Sequence, residues 1–406
     1  MLFRSGKKKN IGNLDYVSCW YKKTADLIKG TNTKAALVST NSITQGEQPA
    51  ILWKPFFDEG LHIDFAYRTF RWDSESEQKA HVHCVIIGFS DACRKAAPMR
   101  IFDSDGTIVE AKNINAYLMD ALNVFVESSQ KPLSNVPEIG IGNKPIDGGY
   151  YLFTEEEKIA FVKKEPASEP FFKKWIGSDE FINRYHRWCL WLGDCTPAQI
   201  RQMHECYRRV QAVREFRLAS KSGPTRKLAE RPTRFHVENF PVGNYIVIPK
   251  VSSERRRYIP LGFLTPDIFC SDLVFIIRNV TLYHFGILTS NVHMAWVRAV
   301  CGRLESRYRY SKDIVYNNFP WPKVTVEQTA KIERTAQNIL DVRAKYPDSS
   351  LADLYDEAAM PAELRKAHAE NDKAVMEVYG FSSKMSEEEI VAELFKMYHD
   401  LTKKES

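Results

Sequence analysis

The chain has 406 residues, 44% of them hydrophobic and 12% aromatic, which is enough apolar material for two or three domains and excludes a mostly disordered protein. No uninterrupted run of roughly 18 apolar residues occurs, so no membrane span is expected, and the start Met1-Leu2-Phe3-Arg4 is charged where a secretory signal needs an apolar core. The net charge is a modest +6, and the eight cysteines form no Cys-x-x-Cys pair, a usage that fits reduced thiols and a cytoplasmic protein.

Residues 1–98 alternate helix and strand. Asn13 to Lys29 has helical spacing, with Leu14, Val17, Cys19 or Trp20, Ala25 and Ile28 on one side. Lys34 to Thr40 reads as a short buried strand, and Gln48 to Phe57 as a helix broken near Pro55. Leu61 to Trp72 and His81 to Phe89 read as strands. The stretch between them, Asp73 to Ala80, is too short for a crossover helix, so they are expected to pair antiparallel. Residues 99–130 look like a connection in which Ile114 to Val126 forms a short helix or an extended linker. Residues 131–322 form a mixed module with clear strands at Tyr245–Pro249 and Val274–Ile277. Residues 323–406 are charged and helical, with candidate helices at Val326–Arg343, Pro361–Val378 and Ser386–Thr402. Ser386 and Glu389 are spaced as a capping box.

Charge is unevenly spread. Residues 201–257 hold fourteen Lys/Arg against five Asp/Glu, a local excess of nine, which leaves the rest of the chain near −3. Such a cluster points to a polyanion, the bland alternative being a salt-bridged helix face.

Several strings together resemble one family: Leu37–Glu47 (LVSTNSITQGE), His62–Trp72 (HIDFAYRTFRW), Val82–Phe89 (VHCVIIGF), Arg187–Trp191 (RWCLW), Val251–Arg257 (VSSERRR), Ala299–Arg303 (AVCGR) and Tyr316–Trp321 (YNNFPW). The chain is similar to the MmeI-type adenine-specific DNA methyltransferases, restriction–modification enzymes with a fused target-recognition domain. The resemblance implies an α/β fold: the rear half of a Rossmann-like methyltransferase sheet, then an α+β target-recognition domain and a helical C-terminal tail. It implies S-adenosylmethionine as cofactor and double-stranded DNA as partner. It also implies a cofactor motif of the form FxGxG and an Asn-Pro-Pro-aromatic catalytic loop, and neither string occurs in this sequence. Asn318-Phe319-Pro320-Trp321 lacks the double proline and reads as structure. The expectation is therefore an incomplete enzyme, inactive alone, that works with a separate chain carrying the missing N-terminal half. The alternatives are a DNA-binding specificity subunit without chemistry and a truncated remnant.

Candidate site residues follow. A methyltransferase acting on adenine N6 must hold a flipped base by stacking. In the resembling family one stacking aromatic comes from the loop between the last two strands, which nominates Phe70 or Trp72; both could equally be loop anchors. Thr40, Asn41 and Ser42 sit at the C-terminal end of a strand, the edge where doubly wound sheets build sites, or they form a simple turn. Arg303, Glu305, Arg307 and Arg309 would share one face of a strand. Arg suits guanine O6/N7 and Glu suits cytosine N4, whereas a surface strand with internal ion pairs is the plain reading. Arg226, Lys227, Arg234, Arg255, Arg256 and Arg257 follow turns and are candidate phosphate contacts. His186, Cys189, Cys195, His204 and Cys206 crowd together, but their spacing matches no compact zinc pattern, and Trp188 and Trp191 point to a core. Glu77-Gln78-Lys79 lacks a preceding acidic strand and does not read as a nuclease site. Gly140-Ile141-Gly142 reads as a turn.

Overall fold

The computed structural model describes residues 11–73, 81–91 and 98–403. Helix α1 (Ser18–Ile28) buries Tyr21, Ala25 and Ile28, which recur on one side of its turns. The chain then runs through β1 (Lys34–Thr40), α2 (Lys54–Asp58), β2 (Leu61–Asp73), β3 (His81–Asp91), β4 (Met99–Phe102) and β5 (Ile108–Ala111). Among the described residues these strands form one sheet in the order β1-β3-β2-β4-β5. Strand β3 is antiparallel to both β1 and β2, so β1 and β2 run parallel with β3 between them. A parallel connection needs a crossover, which the turn Asn41–Thr44, the π-helical turn Pro49–Trp53 and α2 supply. Trp53 anchors it: the indole is buried against Tyr21 and Phe89 and donates to the Ile43 carbonyl at 3.1 Å.

The antiparallel pairing of the last two long strands is as expected; their joining segment, with Glu77–Lys79, lies outside the described residues. Other expectations change. Strand β1 is not a buried strand: its exposure alternates, because it is an edge strand with one covered face. Pro55 does not break a helix but sits in the first turn of α2, where its missing N–H costs nothing. Residues 99–111 are not a connection but two strands, β4 parallel to β2 and β5 antiparallel to β4. The chain from Ile114 to Val126 is irregular, tied by the Ile114–Asp120 bridge.

Next come β6 (Ile139–Ile141), β7 (Leu152–Phe153), α3 (Glu155–Lys164), β8 (Phe172–Ile176), α4 (Ser178–Asn183), β9 (Arg187–Leu190), α5 (Pro197–Gln202), α6 (His204–Leu218) and α7 (Gly223–Leu228). They are followed by β10 (Tyr245–Pro249), β11 (Val251–Ser252), β12 (Gly262–Leu264), β13 (Ile268–Cys270), β14 (Val274–Ile277), α8 (Leu282–Leu288), α9 (Asn291–Val300), β15 (Gly302–Leu304) and β16 (Arg307–Arg309). The described strands form three small sheets, ordered β12-β10-β14-β6, β13-β8-β9-β7 and β11-β16-β15. Gly140 and Gly142 are not a turn. Gly140 lies in β6, and a Cβ on Gly142 would fall 2.1 Å from the Ser271 carbonyl oxygen, so the backbones meet there. Cys189 and Cys206 are buried in an apolar cluster with Trp175 and Trp191.

A single cation organises the loops of this module. Arg217 lies on the buried side of α6 with Cys206, Val210 and Val213, and is 0% exposed. Its guanidinium donates to the carbonyls of Pro145, Ile146, Leu228, Arg231 and Arg234 at 2.8–3.1 Å. The distant stretch 145–146 and the nearer stretch 228–234 are thereby held on one helix.

The C-terminal helices are α10 (Val326–Ala344), α11 (Leu351–Leu354), α12 (Ala362–Tyr379) and α13 (Glu387–Lys403). The expected capping box forms: Ser386 N–H donates to Glu389 Oε2 at 2.7 Å, and Glu389 N–H to Ser386 Oγ at 3.2 Å. These helices share one hydrophobic core with α8, α9 and β10, in which Trp296 packs on Phe395 and Phe319. Asn318 is buried, its amide donating to the Glu127, Asp313 and Ile314 carbonyls, which makes the 318–321 string structural. A polar network crosses the same core. Asp372 accepts from the Tyr258 hydroxyl at 2.6 Å and from Asn291 N–H at 2.8 Å, and His368 stacks on Tyr258.

Two predictions follow from buried groups. Arg217→Met strands its carbonyls without donors and should cost roughly 3 kcal/mol or more, read as a lower urea midpoint. Burial pushes the Asp372 carboxyl up to about 6, against the pull of the Tyr258 and Asn291 hydrogen bonds. The folded chain therefore keeps this proton where the unfolded chain loses it. This group's contribution should fall as pH rises from its unfolded value, near 4, to about 6, by roughly 3 kcal/mol at most, and stay flat above. Denaturation of wild type and Asp372→Asn across that window should show a slope difference confined to it.

Candidate nucleic-acid interface

Because β1 and β2 are parallel, their C-terminal ends lie at one edge of the sheet. There the Asn41 amide donates to Thr69 Oγ1 at 3.2 Å, and the Thr40 and Ser42 hydroxyls meet at 2.9 Å. The register of β2 on β3 slips between Tyr67, opposite Ile86, and Phe70, opposite Cys84. Three steps along β2 thus match two along β3, and this bulge returns Phe70 to the face that carries Tyr67. Phe70 and Trp72 then share that face with ring centroids 6.3 Å apart. Phe70 is half-buried and Trp72 is 54% exposed. A large indole left in water at a strand end is a ready stacking platform. The structure brings together Thr40, Asn41, Ser42, Phe70 and Trp72, and adds Thr69, which sequence reasoning passed over.

The second group does not form the expected single strand. Residues 303–309 make a hairpin: Leu304 pairs with Arg307 and Arg303 with Tyr308, leaving Glu305-Ser306 as the turn. Period-two alternation cannot tell a strand from a two-residue hairpin, and this turn carries no Gly, Asn or Pro to announce itself. Glu305 accepts the left-handed backbone, φ 58°, which costs a non-glycine residue about 1 kcal/mol. Arg303 lies on the opposite face from Arg307 and Arg309. Its guanidinium sits 3.9 Å from the Tyr308 ring centroid and donates to the Ser306 carbonyl at 3.3 Å. Glu305 and Arg307 project at the exposed tip and pair at 2.8 Å. Arg309, exposed on the same face as Arg307, registers with Val251 of β11.

That pairing sets the arginine loop 253–257 beside the hairpin. Burial alone would raise the Glu254 carboxyl, but hydrogen bonds from its own backbone and the Ser306 side chain, with Arg255 and Arg303 nearby, hold it below the ordinary range. Arg255 is exposed. Arg256 is half-buried, and desolvation lowers its pKa despite Asp356 nearby. Arg257 is exposed over Tyr258, and its carbonyl accepts from Arg298 at 2.7 Å. The loop and hairpin lie side by side and expose Arg255, Arg257, Arg307 and Arg309, with the carboxylates of Glu254 and Glu305 among them.

The remaining cations divide. Arg226 and Lys227 are exposed in α7, where Arg226 donates to the Ser220 and Lys221 carbonyls. Arg234 is committed inward: it pairs with Glu238, donates to the Gly193 carbonyl at 3.2 Å and lies over Trp191. It is a positioning group rather than a free phosphate donor. Arg217 was concealed within a basic helix, although its spacing from Val210 and Val213 marks the buried side.

The sheet edge and the basic surface are joined by ion pairs. Arg68 of β2 bonds Asp103 at 3.2 Å and the Glu388 carboxylate, and Arg298 of α9 bonds Glu387 at 2.7 Å. Both arginines, with Thr69 and Arg303, line a cavity of about 390 Å³ under the start of α13. Among the described residues, no three His, Cys, Asp or Glu side chains are placed to hold a metal ion, and no helix is long and apolar enough to cross a membrane.

Comparison with known proteins identifies the family. A family model described as the MmeI target recognition domain matches residues 120–323, the MmeI DNA-methyltransferase domain matches residues 2–103, and the MmeI C-terminal domain matches residues 324–405. DNA methyltransferase A of Bacillus subtilis (strain 168) is 40% identical over 404 residues, covering 100% of this chain and 46% of that protein. A solved structure of the type IIL restriction–modification enzyme MmeI in complex with DNA superimposes with a TM-score of 0.92 at 44% identity, covering 98% of this chain and 54% of that one. The chain thus spans about half the length of the relatives it matches. By its fold, its basic hairpin surface and these matches, the chain belongs to the MmeI family of DNA methyltransferases with a target recognition domain.

Proposed function

We propose that the chain is the recognition-bearing part of a site-specific adenine-N6 DNA methyltransferase, acting on double-stranded DNA in the cytoplasm with S-adenosylmethionine as methyl donor. The observation that carries the reading is the β11-β16-β15 sheet, which presents Glu305, Arg307 and Arg309 next to Arg255 and Arg257 on one exposed surface. In this reading the arginine loop, Arg226 and Lys227 grip phosphates and fix register. The hairpin tip enters the major groove, where Arg307 suits guanine O6/N7 and Glu305 suits cytosine N4. The 2.8 Å pair they make without DNA keeps both side chains partnered until base edges replace them. Phe70 or Trp72 stacks one face of the flipped adenine, and Asn41 and Thr69 border it.

The described residues do not fit the cofactor by themselves. At the sheet edge the Thr40 and Ser42 hydroxyls bond each other and the Asn41 amide bonds Thr69, and the FxGxG string that would hold the cofactor does not occur in the sequence. With no Asn-Pro-Pro-aromatic string among these residues, transfer in this reading needs the remainder of the catalytic domain, on the same polypeptide or on a second one. The same feature favours a second reading, a DNA-binding specificity subunit that performs no chemistry.

Glu305→Lys should change base preference at one position of the bound site, whereas Arg255→Ala should weaken all sequences alike and reduce the salt slope by about 1. Competition binding with single-base variants checks both, and a uniform loss for Glu305→Lys sinks the base-reading role. Labelled S-adenosylmethionine should transfer methyl groups to DNA only when this chain is mixed with the remaining part of a relative. Sequence-preferring binding without transfer in either case favours the specificity subunit.

A further inference from the structure

The sheet edge and the reading hairpin touch through backbone as well as through ion pairs. Strand β1 runs into the turn Asn41–Thr44, and Gly46 follows two residues later. The Gly46 N–H donates to the Val300 carbonyl at 3.0 Å. Val300 is the last residue of α9, and the final four carbonyls of a helix have no partner within it. A loop of the methyltransferase sheet thus closes the end of the helix that leads into the 302–309 hairpin. The Gly46 backbone is left-handed, φ 58°, and a Cβ there would lie 3.6 Å from Gly302 Cα and 3.8 Å from Gly302 N. Two glycine backbones therefore meet where β15 begins.

Both sides of this contact are held. Thr44 Oγ1 donates to the Asn41 carbonyl at 2.8 Å, and Gln45 N–H to the Ser42 carbonyl at 3.1 Å. Gln48 is buried, and its amide donates to the Asn13 carbonyl at 3.1 Å. Asn41 in turn bonds Thr69, the neighbour of Phe70. On the hairpin side, Cys301 N–H donates to the Val297 carbonyl at 2.9 Å, and Gly302 pairs with Arg309. Between the two sides the seam is hollow, since Thr44, Gln45, Thr69, Arg298 and Arg303 line the cavity of about 390 Å³. Empty space carries no contact. At this seam the position of the hairpin relative to the sheet edge rests on Gly46 and on the Arg68–Glu388 and Arg298–Glu387 pairs.

We propose that Gly46 is a positioning residue: through Val300 and Gly302 it fixes the separation between the base read by the hairpin tip and the adenine offered to Phe70 or Trp72. This rests on the reading that the tip contacts base edges and that the sheet edge receives the flipped adenine. Gly46→Val adds two methyl groups beyond a Cβ already in contact with Gly302, on a left-handed backbone that β-branched residues rarely adopt. The hairpin must then move away. Gly302→Ala is the control, because its Cβ meets nothing within 4 Å. Glu387→Gln with Glu388→Gln changes two side chains about half exposed, releases the ion pairs, and decides the matter if Gly46→Val folds poorly.

The test uses the full chain and duplexes in which 5-iodouracil replaces the base at one position at a time. The mismatch lowers the cost of flipping, and irradiation joins the base to an aromatic ring stacked on it. With wild type, crosslinking to Phe70 or Trp72, located by peptide mass mapping, should peak at one position of the bound site. Gly46→Val should lower that peak about threefold or more and raise the yield at adjacent positions, and the paired glutamine variant should act in the same sense. Base preference at the position read by Glu305 should stay as in wild type, and Gly302→Ala should match wild type throughout. An unchanged profile in both disturbed proteins overturns the proposal. So does an equal fall at every position, which a merely structural role would give, or the lack of any crosslink to either ring in wild type that binds DNA. Methyl transfer is measured after adding the part of the Bacillus subtilis relative that this chain does not match: a displaced crosslink without transfer upholds the positioning role and sinks the enzymatic reading.

Discussion

The buried carboxyl group of Asp372 ties the C-terminal helices both to the end of the arginine loop and to the start of α9. One oxygen receives the hydroxyl of Tyr258, the residue after the arginine loop, and the other receives the backbone N–H of Asn291, the first residue of α9. Helix α9 leads through Cys301 into the 302–309 hairpin. A single side chain of the C-terminal domain therefore sets the origin of both loops that carry the basic surface. Desolvating a carboxyl is costly, and the group answers by holding its proton to about pH 6. This explains in physical terms why a helical tail distant from the surface shares one core with it.

Positions are transmitted to the sheet in the same way. Arg68 and Arg298 reach from β2 and α9 to adjacent acids, Glu388 and Glu387, in the first turn of α13. The bulge that turns Phe70 and Trp72 to one face begins next to Arg68. The sheet edge at residues 68–72 and helix α9, which leads into the hairpin, are thus tied to one helix end, whose acidic first turn is also favourable to the helix dipole.

Much of this was legible before the structure. The antiparallel β2–β3 pair, the three long C-terminal helices and the Ser386–Glu389 cap follow from local pattern and chain length. What escaped has a common cause: partners distant in sequence decide it. Strand β1 looks buried because its residues are apolar, yet an edge position exposes every second side chain. Residues 303–309 alternate like a strand, yet they turn at Glu305, and β16 pairs with β11 from nearly 60 residues away. Arg234 resembles its neighbours in composition but meets Trp191 and Glu238, whereas Arg255 stays exposed. Arg217 is the clearest case: its spacing from Val210 and Val213 marks the buried side of α6, but the carbonyls it binds come from residues 145–146 and 228–234 and are not legible locally.

The central claim is that the 253–257 loop and the 303–309 hairpin together touch DNA, with the edge at residues 69–72 close by. Amide hydrogen exchange of the whole chain, with and without a specific duplex, addresses it most directly. The account predicts slowed exchange in both loop and hairpin on DNA binding, with the exposed turn at Glu305-Ser306 changing most. Protection confined to α10–α13, or to strands β1 and β5, would contradict it.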